Sequence, residues 1–562
     1  MSRRNKASQD AVQQNTQNGG QPGVPQTPSS SGAGSDAQQQ AQAVGQGSEV
    51  QAGSNSQIAD RALANMLNVS GGLSFSYPLG LPIPLSNKIN DSFYEDEMYR
   101  SVLPGIITVE IAPCYGDFHE RTDSINLAAD AEFTTMRKAQ SGRKNYDQAS
   151  LMLSQIAIAE IFAAIGWLTR VYGISTLYSA DNRYLPTGLL EALGFDADDV
   201  LKHKPELLFQ INNLVYQVST FVVPSSIPLF KRRATQFSSV YREYDGPRAQ
   251  MYMYKPASFL RYTSKLSDSN PYGALEYARV PYGVNMKVDQ AVEFVSDMIN
   301  ALMWNEDVVT INGDLAKAFG ADVINISPIS ADYVVIPVVD VNELETIKNL
   351  NDLSNVGVIE LGPIKHVMAN GLTPTSCLEA SAKVITENNI GDGDTDADKF
   401  KVAYLNRNMM LSSDAAVLDT LGVVSRCRLM SFAEVHGKEH TIKCGAELVT
   451  GVHVWTYDYK THYTSSARPH VRSMKLFSGG VHLLNDDLDN TRVIMDNIME
   501  VAEAFANFKY APSVFTAVDV NDGIVTTNFI YDFNNFTVVT PTDLERMFIA
   551  LRAYIFNVPR IG

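Results

Sequence analysis

The chain has 562 residues, of which 45% are hydrophobic and 19% are charged, a composition typical of a globular protein. Its 62 acidic and 45 basic residues give a net charge of −17, so any nucleic acid or anionic membrane must be met by a local basic surface. The four cysteines form no C-x-x-C pair, which favours reduced thiols in a chain that matures in the cytosol.

Residues 1–57 are rich in Gln, Ser, Gly, Asn and Ala, and they contain no Leu, Ile, Phe, Tyr or Trp. Such a segment buries too little apolar area to offset its conformational entropy, so we expect a disordered arm. Its basic tip, Arg3, Arg4 and Lys6, is balanced by three acidic residues further along. Both a solvated tail and an arm with a function at its tip remain possible.

Residues 58–319 show mainly helical patterns, and a Pro-rich strip, YPLGLPIPL from Tyr77, should run extended over another surface. No apolar run reaches the ~20 residues of a membrane span, since the densest, 156–168, has 13 and contains Glu160. The predicted helices are a short one over 57–67, one capped by Asp147 and ending at Gly173, one from Pro186 to Gly194, one over 206–222, and one over 289–304.

From about residue 320 the segments become β-branched and aromatic, which predicts strands. The predicted strands are YVVIPVVDV from Tyr333, GVVSRCRLM from Gly422 and LVTGVHVWTYDYKTHYT from Leu448. Helix returns over 491–508 and over 544–556, the latter after a predicted capping box, Thr542 to Glu545. We therefore expect an α+β protein in which a strand-rich insert, 320–484, interrupts a helical body formed by 58–319 and 485–562.

The string His436-Gly-Lys-Glu439-His440 matches the H-x-x-E-H order of inverted zinc peptidases. A zinc site of that kind needs both histidines on one helix face and a further ligand downstream. Here Gly437 lies between the histidines and the flanks alternate like strands, so an exposed hairpin turn is the main interpretation. A zinc-dependent hydrolase using these three residues stays as the alternative.

The acidic string GDGDTDADK at Gly391 resembles a calcium loop, but Ala397 and Ala403 occupy the positions that require Gly and Glu. An exposed acidic loop is the main interpretation, with weak cation binding between subunits as the alternative. We find no G-x-S-x-G motif, P-loop or dinucleotide fingerprint, so nothing in the motifs predicts an enzyme or a cofactor.

Between Lys231 and Arg261 the local charge changes sign, with seven basic residues against Glu243 and Asp245. Aromatic residues are interleaved with the basic ones, and cations with aromatic rings are the groups that contact phosphates and bases. The stretch is interpreted either as a solvated, partner-facing surface or as an RNA-facing one.

The segment QSGRKNYDQASLMLSQIAIAEIFAAIGW from Gln140 resembles the capsid proteins of picobirnaviruses. Further matching places follow in the same order as in that family: LPGIITVEIAP at Leu103, AQMYMYKPASFLRY at Ala249, KAFGAD at Lys317, LERMF at Leu544 and the terminal NVPRIG. The resemblance covers residues 75–330 well and the last 70 residues more loosely.

The resemblance implies a structural coat protein of a double-stranded RNA virus, without catalytic residues, metal or cofactor. It implies a mainly α-helical shell domain that forms a T=1 icosahedral capsid as homodimers, with the strand-rich domain projecting outside. The chain would assemble in the host cytoplasm and reside in the virion, binding viral RNA by sequence-independent electrostatics and contacting host membrane during entry.

The family also implies a strongly basic arm inside the particle, whereas this arm is neutral overall. The Lys231 to Arg261 stretch is therefore a stronger candidate for RNA contact than the arm. The RNA-facing candidates are Arg3, Arg4, Lys6, Lys231, Arg232, Arg233, Arg242 and Arg248. We further expect the strips YPLGLPIPL and NYDQASLML to be exposed on the subunit and to become buried against neighbouring copies.

Overall fold

The computed structural model describes residues 83–84, 99–100, 105–140, 142, 145–178, 184–246, 248–283, 285–353, 358–368, 376–385, 409–411, 420–436, 439–458, 470–475, 480–483, 505–512, 514–520, 524–530 and 536–558. Its helices are α1 (Ser124–Ala139), α2 (Gln148–Thr176), α3 (Leu185–Ala192), α4 (Ala197–Lys202), α5 (Lys204–Gln217), α6 (Pro228–Thr235), α7 (Val288–Met303), α8 (Glu306–Phe319), α9 (Val341–Lys348), α10 (Thr420–Arg426) and α11 (Pro541–Ile555).

Its strands are β1 (Ile83–Pro84), β2 (Tyr99–Arg100), β3 (Ile106–Pro113), β4 (Val223–Pro224), β5 (Tyr241–Arg242), β6 (Met251–Pro256), β7 (Ser258–Thr263), β8 (Ala274–Arg279), β9 (Val323–Ile324), β10 (Val358–Leu361), β11 (Ile364–Met368), β12 (Ser376–Glu379), β13 (Ala382–Ile385), β14 (Met409–Leu411), β15 (Ser431–His436), β16 (Glu439–Cys444), β17 (Glu447–Asp458), β18 (His470–Lys475), β19 (Gly480–Leu483), β20 (Val514–Val520), β21 (Ile524–Ile530) and β22 (Phe536–Val538). This mixture of helices and several small sheets confirms the predicted α+β class.

Helix α2 forms the centre of the hydrophobic core. Asp147 caps it as predicted, because its carboxylate accepts a hydrogen bond from the Ser150 backbone N–H at 2.8 Å. The helix is apolar on nearly every side, and such helices are buried rather than amphipathic. Helices α1, α3, α5, α6 and α7 and strand β7 all pack against it. In length and composition α2 is the one described helix able to cross a membrane, yet 94% of its apolar window is buried inside the protein, as in a core helix.

The end of α2 differs from the prediction, because the helix continues through Gly173 to Thr176. Gly173 permits a close approach: a Cβ at this position would lie 2.5 Å from Val335 Cγ2 and 2.9 Å from Tyr333 Cε1. The glycine therefore serves packing and not helix termination. At Gly194, by contrast, φ is +89° just beyond α3, which confirms the predicted helix end.

The central sheet has the strand order β18-β17-β3-β6-β5. Strands β3 and β6 pair in parallel, and β17 pairs antiparallel with β3 over eight residues of β3. Because β3 is buried on both faces, its sequence, IITVEIAP, is mostly apolar and does not alternate strictly. One sheet thus joins strands from both sides of the predicted boundary at residue 320.

Two further four-stranded sheets have the orders β12-β11-β8-β7 and β10-β13-β16-β15. Strands β19, β20 and β21 form a three-stranded sheet, and β1–β2, β4–β9 and β14–β22 form two-stranded pairs. The strand predicted from Leu448 is confirmed as β17 up to Asp458, and the rest of the predicted segment lies outside the described residues.

Three other predicted elements differ in the structure. The segment from Gly422 is part of α10 and not a strand, because it packs as a helix between α9 and α11, and tertiary packing outweighs its β-branched composition. Helix α5 ends at Gln217, five residues before the predicted end, since turn hydrogen bonds at Ser219 and Phe221 close it. The segment from Tyr333 is extended but joins its neighbour β5 at a single bridge, Tyr241 to Val338.

The last described helix, α11, begins earlier than predicted. Its N-cap is Thr540, whose hydroxyl accepts a hydrogen bond from the Asp543 N–H at 3.1 Å, and not Thr542. The helix predicted over 289–304 is confirmed as α7. The predicted arm 1–57 and the helix over 57–67 lie outside the described residues, as do most of YPLGLPIPL and most of the helix over 491–508.

Candidate assembly and nucleic-acid surfaces

The basic stretch begins on α6, where Arg233 faces the core and not solvent. Its guanidinium Nη2 donates to Glu160 Oε2 at 2.6 Å, and the two side chains are 1% and 0% exposed. Glu160 lies on α2 and also accepts a hydrogen bond from the Leu260 N–H at 3.3 Å. The predicted RNA contact through Arg233 is therefore corrected: this residue neutralises a carboxylate inside the core.

Arg232 forms part of the same buried network through two glutamates from distant segments. It donates to Glu343 on α9 and to Glu447 on β17, each at 3.0 Å. Arg428 contacts the same two carboxylates, each at 2.9 Å. Arginine matches this arrangement because its planar donors contact two carboxylates at once. Arg232 therefore binds carboxylates of the protein itself, and the predicted RNA contact through Arg232 is corrected for the same reason.

The electrostatics of the network fix its charge state. Burial would raise the pKa of Glu343, but Arg232 and Arg428 hold that pKa well below its usual value. Burial likewise opposes the ionised form of Glu447, yet the two arginines lower its pKa. Burial would lower the pKa of Arg233, whereas Glu160 raises it. Arg232 and Arg428 thus favour the ionised forms of Glu343 and Glu447, and Glu160 favours the protonated, cationic form of Arg233.

Sequence reasoning missed this network because its carboxylates come from α2, α9 and β17, up to hundreds of residues away from α6. Counting charges between Lys231 and Arg261 includes the cations and omits their partners. One signal was present: Glu160 interrupts the densest apolar run of the chain, and a buried carboxylate requires a cation.

The other basic residues of the stretch differ in their surroundings. Lys255 is buried and lies 2.9 Å from Glu110, and Arg242 pairs with Asp245. Lys231, Arg248 and Arg261 are exposed. Arg3, Arg4 and Lys6 lie outside the described residues. The cationic surface of this stretch is thus smaller than the sequence suggested.

The interleaved aromatic residues are mostly part of the core. Tyr241, Tyr252, Tyr254 and Phe259 are buried, and Tyr254 donates to Glu343 at 2.9 Å within the arginine network. Only Tyr244, at 49% exposure, presents its ring to solvent. Base stacking by the stretch as a whole is therefore not available in this subunit.

The strands on either side of the H-x-x-E-H string pair with each other, as the hairpin interpretation predicted, while Gly437 and Lys438 lie outside the described residues. Strands β15 and β16 pair antiparallel, with His436 opposite Glu439 and Val435 opposite His440. The two histidines are therefore not cross-strand partners, and neither is on a helix. The described residues contain no cluster of three or more metal-binding side chains. The acidic string at Gly391 lies outside the described residues.

One of the two predicted apolar strips is buried within the subunit, and the other, YPLGLPIPL, lies mostly outside the described residues. NYDQASLML was expected to be exposed, but Leu151, Met152 and Leu153 are at most 1% exposed because they lie in α2. Large apolar side chains are exposed elsewhere, including Phe209 and Tyr216 on α5, Trp304 after α7, and a run of aliphatic residues between Val334 and Val341. A subunit with this much exposed apolar surface is suited to association.

A sequence model of the family described as "Picobirnavirus, Capsid protein" matches residues 61–531. This chain belongs to the picobirnavirus capsid protein family. The capsid protein precursor of a human picobirnavirus (strain Human/Thailand/Hy005102/-) is 23% identical over 511 residues, which is 89% of this chain and 90% of the relative. An X-ray structure titled as that of the picobirnavirus capsid superposes with a TM-score of 0.69 at 21% identity, covering 87% of this chain and 97% of that one.

Picobirnavirus capsid proteins are structural and non-enzymatic, which confirms the predicted class and removes the basis of the zinc-hydrolase alternative. As a capsid protein, the chain is a component of the virion. Its functional surfaces accordingly include those that contact other copies in the shell. The buried arginine–glutamate network supports these surfaces by holding α2, α6, α9 and β17 together.

Proposed function

We propose that this capsid protein associates as homodimers, assembles in the host cytoplasm, and builds a small T=1 icosahedral shell around a double-stranded RNA genome. The match of the family model over residues 61–531 is the observation that carries the proposal. The exposed apolar side chains support it, because obligate assembly buries apolar surface on a scale of thousands of Å².

The genome contact is the part of the proposal that the local charges support. RNA phosphate is bound without sequence preference by cations that face it. Within the basic stretch we assign this role to the exposed Lys231 and Arg248, and in the arm to Arg3, Arg4 and Lys6. Contact with host membrane during entry stays an expectation taken from the family.

Shell assembly is tested by electron microscopy of the purified full-length chain in negative stain. The proposal expects uniform isometric particles, because closed point-group symmetry produces one size. A chain that stays monomeric at all concentrations would refute it.

The RNA contact is tested with the double variant Lys231→Gln/Arg248→Gln, in which both substituted side chains are exposed. Particles should still form, and the ratio of their absorbance at 260 and 280 nm should fall because two phosphate contacts per subunit are lost. The matched control is Lys202→Gln/Lys317→Gln, which removes the same charge from two other exposed positions. An equal fall in both variants would mean that only net charge matters.

A further inference from the structure

Five aliphatic side chains form an exposed strip between Val334 and Val341, which we call the 334–341 strip. The exposed fractions of these side chains are 37% at Val334, 61% at Ile336, 45% at Val338, 44% at Val339 and 42% at Val341. Isolated exposed aliphatic residues are common, but five within eight consecutive positions concentrate apolar surface in one place, which marks an interaction site.

The strip is held in place by the body of the subunit. The Val335 N–H donates to the Gly173 carbonyl at 3.2 Å, and the Val335 side chain is buried against α2. Further along, the Val338 N–H donates to the Val240 carbonyl, and the Val338 carbonyl accepts from the Arg242 N–H, both at 2.9 Å. A surface anchored in this way loses little conformational entropy when it is covered.

The chemistry of the strip decides between partners. No residue from Tyr333 to Val339 is charged, and Asp340 lies within the strip, where its carboxylate caps α9. The neighbouring cation, Arg242, is paired with Asp245, so the strip offers RNA phosphate little positive charge. An anionic lipid surface is disfavoured by Asp340 and by a net charge of −17. The remaining partner is an apolar protein surface, and for a chain of the capsid family that surface is a second copy.

We propose that the 334–341 strip is a contact between subunits, covered by a neighbouring copy of this chain in the assembled shell. This inference rests on the proposed self-assembly and adds the residues that carry one interface. The strip would then be shielded from solvent in the particle and exposed to solvent in the free subunit.

The first experiment replaces one exposed side chain, with Ile336→Asp. The free subunit should keep its thermal midpoint, because the side chain is mostly in solvent, whereas a buried carboxylate in the interface should reduce particle yield roughly tenfold or more. The matched control is Val309→Asp on α8, where the native side chain is 60% exposed. Undiminished yield for Ile336→Asp, or an equal loss in the control, would overturn the assignment.

The second experiment measures burial of the strip directly with Ile336→Cys. The four native cysteines are all buried, so the substituted position provides the reactive thiol. Maleimide labelling in intact particles should be roughly tenfold slower than in dissociated subunits, and Val309→Cys provides the reference. Addition of vesicles of phosphatidylcholine and phosphatidylserine to free subunits should leave the rate unchanged.

The outcomes distinguish a failure of the strip contact from a failure of self-assembly itself. The Ile336→Cys variant could form intact particles in which the introduced thiol labels as fast as in the free subunit. That result would overturn the proposal that the strip is a subunit contact, and it would leave the self-assembly proposal intact. Protection by vesicles but not by assembly would replace the second copy with a membrane. A wild-type chain that never associates would overturn both proposals.

Discussion

At Arg233 the guanidinium is almost completely buried, and its partner Glu160 is equally inaccessible. Removal of the arginine leaves a buried carboxylate without its cation, which typically costs about 3–5 kcal/mol. We therefore predict that Arg233→Leu lowers the free energy of unfolding by that amount, measured by urea titration with tryptophan fluorescence. Trp167, which lies on α2 and is fully buried, reports on this region.

Lys231, which lies two residues before Arg233, provides the control for this variant. Lys231 is on the same helix and exposed, so Lys231→Gln should change the free energy of unfolding by less than about 0.5 kcal/mol. If Arg233→Leu is as stable as Lys231→Gln, the buried ion pair contributes nothing to the free energy of unfolding.

Glu132 on α1 is a second residue whose environment has a measurable consequence. It is 6% exposed, and its carboxylate accepts a hydrogen bond from Gln155 Nε2 at 2.6 Å. Burial raises the pKa of Glu132 to about 7, although the Gln155 hydrogen bond opposes this shift. The folded state therefore binds a proton that the unfolded chain has already released at pH 5 to 7.

The sign of the pH effect follows from that proton. The contribution of Glu132 to the free energy of unfolding is most favourable below about pH 4.5 and declines as pH rises to about 7, by up to roughly 3 kcal/mol. We predict that Glu132→Gln gains stability relative to wild type between pH 5 and pH 8, measured by urea unfolding at each pH. A difference between the two proteins that is independent of pH would show that Glu132 titrates normally.

At the scale of elements, the contact between α2 and the segment beginning at Tyr333 depends on Gly173. An added methyl group would meet Val335 Cγ2 at 2.5 Å, and overpacking of this kind costs about 1–3 kcal/mol. We predict that Gly173→Ala lowers the thermal midpoint of the free subunit. The control is Gly313→Ala on α8, where nothing lies within 4 Å of the added atom and the helix should be stabilised by about 0.5–1 kcal/mol. Equal effects of the two substitutions would contradict the packing role.

The sequence predicted elements best where local chemistry determines them. Asp147 at the start of α2 and Gly194 after α3 were recognised because caps and turns depend on adjacent residues. The strands β3 and β6 were not recognised, because a doubly buried parallel strand resembles a short buried helix in its apolar run. The segment at Gly422 became α10 because distant helices pack against it.

The candidate surfaces were harder to predict than the elements for a physical reason. A charge or an apolar side chain is functional only when no other part of the same chain covers it. Arg233 and Leu151 both appeared to be surface residues in the sequence, and both are covered by segments distant in the chain. By contrast, Ile336 is exposed because its neighbours Val335 and Pro337 occupy the core side of the extended segment.

At the scale of the whole molecule, the subunit combines a large shared core with exposed apolar side chains and an acidic net charge of −17. Association through apolar contacts is compatible with that charge only if the interfaces exclude unpaired acidic groups. The family match spans residues 61–531, so the described fold is that of a capsid subunit.

The central claim is that the chain functions by associating with copies of itself. Mass photometry of the purified full-length protein across a concentration series tests this claim most directly. The account predicts one narrow high-mass species in equilibrium with small subunits, as expected for a closed shell. A single monomer peak at every concentration, or a continuous ladder of open-ended aggregates, would contradict it.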